Sequence, residues 1–278
     1  MDELMATCWT WSGKVDPSSP DPKSPIDPHD RIEALARHGF SGADFLVGDL
    51  RGRDLAGITA SLDAADIRHR QVEFLDDWWS DSATDSVDEI VSLAGGIGAT
   101  QIKVGPDTQH ATRPFWDMRD PWVHFADRAS AVGAQLVIEP LPFSNLRTIE
   151  DGARFVQGAG HPDAGIVVDF WHVQRGGSTM ASLSAAVDPA HLMAVELCDG
   201  SSPKPPGVDM MTEAITAREL PGEGSWDVRG FITTIRRLGF AGPWAVEMPT
   251  PWYLALPLDE ALARAANATR SALAGTDD

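Results

Sequence analysis

Short apolar runs recur along this chain at intervals of one supersecondary unit. MATCWTW near the start, GADFLV from 42, RQVEFL from 70, QIKV from 101, QLVIEPL from 135, GIVVDF from 165, LMAVEL from 192 and PWAVEM from 243 give eight candidate strands. They do not alternate apolar with polar and are rich in Val, Ile and Leu, as strands covered on both faces are. Between them the spacing changes to i, i+3, i+4, i+7, as in Val87, Ile90, Val91, Ala94 and Ile97, in Trp122, Phe125, Ala126, Ala129 and Val132, and in Phe231, Ile232, Ile235 and Leu238. Each set describes one buried helical face. Gly39, Gly98, Gly133 and Gly239 fall where these helices should stop, at the usual place of a left-handed cap.

Strand, loop, helix and glycine cap, repeated eight times in about 250 residues, predicts an α/β fold with a single (β/α)8 barrel over residues 1–278. A doubly wound open sheet is the alternative, but no glycine-rich phosphate-binding turn follows the first run. No interior linker interrupts the pattern. The stretch from Pro17 to Pro28 and the tail from Ala274 are the weakly ordered candidates.

Composition excludes several classes. A hydrophobic fraction of 43% and a charged fraction of 23% describe an ordinary globular chain. No apolar run approaches the roughly 20 residues of a membrane span. The first residues, MDELMATCWTWSG, carry acids and no apolar h-segment, so they do not read as a secretory signal and the expected compartment is the cytoplasm. A net charge of −19 with scattered Lys and Arg argues against nucleic acid and is compatible with cation binding. The two cysteines, Cys8 and Cys198, support neither a disulfide framework nor a Cys-rich zinc site and read as small buried residues.

In a barrel of this kind the C-terminal strand ends face the active site. The fifth strand closes on Glu139, the sixth on Asp169, the seventh on Glu196 and the eighth on Glu247. One such acid could simply cap the next helix. Four on adjacent strands would raise one another's pKa unless a positive charge lies between them. A divalent cation answers that need, and all-oxygen ligation suits Mg²⁺ or Mn²⁺ better than zinc, with an imidazole from His172 tilting the choice toward Mn²⁺.

IEPLPFSN at 138 to 145, VVDFWHVQRGG at 167 to 177, VELCDG at 195 to 200, LPGEGSWD at 220 to 227 and PWAVEM at 243 to 248 resemble the successive motifs of the xylose isomerase-like TIM barrels. That superfamily includes sugar phosphate isomerase/epimerase proteins, ketose 3-epimerases, hydroxypyruvate isomerase, inosose dehydratase and AP endonuclease family 2. The resemblance runs from the first strand to the eighth and implies metal ligands at Glu139, Asp169, Glu196 and Glu247. At the third position the resembled epimerases and inosose dehydratase have histidine, where this chain has Glu196. The resemblance also makes His172 a substrate contact, with metal ligation a lesser option.

A cation held between two glutamates suggests removal of a proton beside a carbonyl of a ketose or keto-polyol, through a metal-bound enediolate, with Glu139 and Glu247 as the acid/base pair. Reprotonation on the other face gives epimerisation, and proton relay to the next carbon gives isomerisation. Loss of a β-group gives a lyase, of the inosose dehydratase kind or cleaving an oxidised glycoside. Further candidate substrate contacts are Glu73 and Lys103 at the third and fourth strand ends, Arg218 in the long loop after the seventh, and Trp11, with His110 weaker. Ten tryptophans against one tyrosine, with Trp9, Trp11, Trp78, Trp79, Trp171 and Trp252 at or past strand ends, suggest an aromatic mouth and a substrate bulkier than a simple triose or pentose. The expected partner is a small sugar or polyol, with no nucleic acid and no membrane, and a homo-oligomer is compatible with the sequence. A non-catalytic sugar-binding barrel is the reading from a different class.

Overall fold

The computed structural model describes residues 2–276. Its strands are β1 (Leu4–Ala6), β2 (Gly42–Leu46), β3 (His69–Leu75), β4 (Gln101–Val104), β5 (Gln135–Ile138), β6 (Ala164–Asp169), β7 (Leu192–Leu197) and β8 (Trp244–Val246). Each pairs in parallel with the next, and β8 pairs with β1, which closes a (β/α)8 barrel.

The predicted helical faces are buried except at their last members, Val132 and Leu238, which are half-buried at the helix ends. The helix Thr84–Ile97 buries Val87, Ile90, Val91, Ala94 and Ile97 and ends at Gly98 with φ 61°. The helix Val228–Arg237 buries Phe231, Ile232 and Ile235. Its first turn is capped by the Asp227 side chain, which accepts from the Gly230 N–H, and Arg236 and Arg237 stand in its last turn, where cations favour the helix dipole. Truncating Phe231, which has no exposed surface, would cost about 3–5 kcal/mol. Among the described residues no helix is long and apolar enough to cross a membrane.

Three local expectations need correction. The first run is a strand only to Ala6, and Cys8–Trp11 turns into a short helix. The Thr10 hydroxyl donates to the Val246 carbonyl and the Trp11 indole N–H to the Asp44 carbonyl, and both bonds pull that turn across the barrel top. Second, the sixth run is a strand only to Asp169, and Phe170 opens a helix, Phe170–Gly176, ended by Gly177 at φ 80°. Third, β3 and β4 do alternate. Gln71, Glu73, Gln101 and Lys103 interleave with Val72, Ile102 and Val104, so the apolar side chains face the helices and the polar ones the barrel interior.

Candidate active site

Strand geometry delivers the four acids as the spacing predicted. Glu139 and Glu247 stand one residue beyond β5 and β8, Asp169 closes β6, and Glu196 is the penultimate residue of β7, paired in register with Asp169. One oxygen from each of Glu139, Asp169, Glu196 and Glu247 lies within 4.8 Å of the others, and all four side chains are buried.

Two cationic side chains lie against this cluster. Lys103, with no exposed surface, places Nζ 2.5 Å from Glu73 Oε2 and 2.8 Å from Glu196 Oε1. The same nitrogen is 3.8 Å from Asp44 and Glu139 and 4.0 Å from Glu247. An ammonium within reach of acids from five other strand segments lies in the barrel interior. Arg218 Nη1 is 2.6 Å from Asp169 Oδ2 and 2.5 Å from Glu247 Oε2, and its Nε donates to the Ala214 carbonyl. Both cations come from outside the four-acid set.

Asp169 serves two ends at once. Its Oδ1 accepts the His172 N–H and caps the helix Phe170–Gly176, while Oδ2 receives Arg218. The helix start in turn fixes the His172 ring, whose Nε2 lies 3.1 Å from Glu139 Oε1.

Burial opposes ionisation of all four acids, and the neighbours decide which one yields. Lys103 and His172 outweigh burial at Glu139 and hold it below the ordinary carboxylate range. Arg218 and His172 do the same, more strongly, at Asp169. At Glu196 and Glu247 burial wins over Lys103 and Arg218 respectively, and the surrounding acids add to it, so both carboxyls are pushed well up. Burial also raises Asp44, with Glu73 adding. Lys103 stays an ammonium because the acids around it outweigh its own burial.

The donor set suits a hard divalent cation. Glu139 Oε1, Glu196 Oε2 and Glu247 Oε2 are buried and accept no hydrogen bond, although His172 Nε2 and Arg218 Nη1 stand beside the first and the last. Hard cations are bound by oxygens at about 2.0–2.6 Å, which puts ligand atoms within about 4–5 Å of one another, as here. Glu139, Asp169 and His172 form an overlapping triad, and Cys8, Asp44 and Glu73 form a second group beyond Lys103.

A cavity of about 620 Å³ opens above the cluster. Glu73, Glu139, His172, Arg218 and Glu247 reach it from below. The other sequence candidates do not. Trp11 is fully buried beside Phe45 with Arg31 stacked 4.4 Å from its ring, so it supports the barrel top instead of touching substrate. Lys103 lies beneath the floor, tied to acids. The His110 ring is exposed and pairs with Asp107 at 3.3 Å. The aromatic mouth is also corrected. Trp9 lines the cavity, but Trp78 and Trp171 are core, and the apolar part of the walls comes mainly from Leu, Phe, Ile, Met and Pro. Asp44 was missed by sequence reasoning, since it sits mid-strand in GADFLV, where its carboxylate looks like a break in an apolar run.

Residues 32–272 match the family model of the xylose isomerase-like TIM barrel. No curated protein matches the sequence. Among solved structures, a xylose isomerase-like TIM barrel/4-hydroxyphenylpyruvate dioxygenase fusion protein superposes with TM-score 0.76 at 20% identity. The match covers 98% of this chain but only 42% of that one. The IOLI protein, solved with a zinc atom, gives TM-score 0.78 at 18% identity, covering 99% of this chain and 98% of that one. D-psicose 3-epimerase gives 0.73 at 16% identity, covering 99% and 100%. At these identities the likeness is one of fold.

Proposed function

This chain belongs to the xylose isomerase-like TIM barrel family, and within it we propose that it is a divalent-metal-dependent isomerase or epimerase of a ketose or keto-polyol. The observation that carries this reading is the convergence of Glu139, Asp169, Glu196 and Glu247 within 4.8 Å at the base of a cavity sized for a small molecule. The family's structural neighbours that include D-psicose 3-epimerase support the reaction class.

Glu139, Asp169 and Glu247, with Glu196 as a fourth, would hold one cation, Mn²⁺ or Mg²⁺ by the oxygen-rich donor set. When bound, such an ion polarises a ketone and its neighbouring hydroxyl and stabilises negative charge on their oxygens. The protein supplies the proton chemistry. Glu139, held ionised by Lys103 and His172, takes the proton from the carbon beside the carbonyl. Glu247, which follows β8 three strands further round the barrel, returns a proton. Carboxyls that reach the cavity from two separate strand ends can serve as base and acid in turn. His172 Nε2 orients Glu139 and is placed to meet a substrate hydroxyl, while Arg218 holds Asp169 and Glu247 in place.

Elemental analysis of the purified, dialysed protein, followed by titration with MnCl₂, MgCl₂ and ZnCl₂, tests the metal. About one ion per chain in the wild type, lost in Glu139→Ala, is expected. No ion bound and none taken up would contradict it.

A further inference from the structure

The walls of the cavity differ in chemistry from its floor. The floor is formed by buried ionisable groups, Glu73, Glu139, His172, Arg218 and Glu247. Above them the wall is mainly apolar, with Trp9, Leu46, Leu75, Phe143, Met211 and Ile215, interrupted by Asp76, Ser86 and Thr108. A free sugar carries a hydroxyl on nearly every carbon, and each hydroxyl pressed against such a wall would lose its water without gaining a partner. The volume, about 620 Å³, lies within the roughly 300–1,000 Å³ of sites that enclose drug-sized ligands.

The two longest connections at the catalytic end of the barrel add to this wall. The segment between the Cys8–Trp11 turn and the helix beginning at Pro28 contributes Pro17, Pro20 and Pro22. The connection from β7 to the helix Val228–Arg237 contributes Met211 and Ile215, from the inserted helix Met210–Thr216. In barrels of this kind such loops choose the substrate while the strand ends do the chemistry. Met211 is 47% exposed, one of three large apolar side chains so placed among the described residues, and it stands on this wall. Three charged residues of the outer rim are paired among themselves, with Arg51 2.8 Å from Asp21 and 2.7 Å from Glu89, while Asp76 adds a carboxyl to the lining. They tie the proline segment to the barrel and leave the apolar wall open between rim and floor.

We propose that the site takes an amphiphilic substrate, an α-hydroxyketone head at the carboxylates carrying an apolar or aromatic substituent that lies between the Pro17–Pro22 segment and the helix Met210–Thr216. This rests on the isomerase reading for the head and adds the tail. Favourable burial of the substituent comes from apolar area removed from water and, for an aromatic ring, from contact with Trp9 and Phe143.

The test is calorimetric titration of the full-length protein with three probes: D-fructose, 1-O-methyl-D-fructose and 1-O-benzyl-D-fructose. The wild type is expected to bind the benzyl ether at least about ten-fold more tightly than the methyl ether. Met211→Glu, at an exposed position that tolerates the change, and Ile215→Gln should each shrink that ratio while leaving D-fructose affinity unaltered. Equal binding of the two ethers, tightest binding of D-fructose, no binding of any probe, or a ratio unmoved by both variants would overturn the proposal. Proton exchange of the same probes in D₂O separates the two claims. Exchange without a benzyl preference rejects the amphiphilic substrate and keeps the isomerase reading, whereas a benzyl preference without exchange keeps the apolar site and rejects that reading.

Discussion

The Lys103 ammonium lies 2.8 Å from Glu196 Oε1, so the acid that stands where the resembled epimerases have histidine is matched by a cation on β4. The same ammonium is 2.5 Å from Glu73, and no part of Lys103 reaches solvent. Lys103→Met would leave both carboxylates buried beside further acids with nothing to balance them. A loss of about 3–5 kcal/mol is expected in urea unfolding at pH 7. Adding Glu196→Gln to that variant should restore part of it, because one of the crowded acids is then gone. An unchanged midpoint in Lys103→Met would show that Lys103 does not balance the cluster.

His172 touches the proposed base and not the backbone of the barrel. His172→Ala should raise KM more than it lowers metal content. Glu139 is held below its ordinary range partly by His172, so in the variant its pKa rises and the acid limb of the kcat/KM profile moves to higher pH. Loss of the metal in this variant would instead make His172 a ligand.

Asp107 illustrates a structural acid in the loop after β4. Its Oδ1 accepts the N–H groups of Gln109 and His110, and Oδ2 lies 2.6 Å from Arg113 Nε. Burial resists ionisation, but these donors outweigh it and the pKa is lowered. A depressed folded-state pKa contributes stability that is complete above the unfolded value, about 3.9, and is lost as pH falls through the folded one. Asp107→Asn should therefore cost about 1–3 kcal/mol near pH 7, with the gap to wild type closing below about pH 4. A gap constant from pH 7 to pH 2 would contradict the assignment.

The barrel was legible because its signals are local: an apolar run, a 3.6-residue stripe and a glycine such as Gly98 repeat in each unit. The strand-end acids were legible for the same reason, since strand pairing carries Asp169 and Glu196 into register. Less visible were contacts made across the barrel. Nothing near Lys103 in the chain indicates that Glu73, Glu196 and Asp44 surround it, and Arg218 reaches Asp169 from 49 residues away. Trp11 misled because a strand-end tryptophan can face either the mouth or the layer beneath it, and its indole N–H found the Asp44 carbonyl. The apolar wall was obscured by its sources, a proline segment and an inserted helix with no strand-like pattern.

The central claim is that Glu247 and Glu139 move a proton on the carbon beside a substrate carbonyl. Its most direct test is NMR of D-fructose and 1-O-benzyl-D-fructose incubated in D₂O with Mn²⁺-supplemented protein, with Glu247→Gln in parallel. Deuterium should appear at that carbon with the wild type and not with the variant, whose circular dichroism and thermal midpoint match a folded barrel. Exchange retained at the wild-type rate in Glu247→Gln would contradict the account.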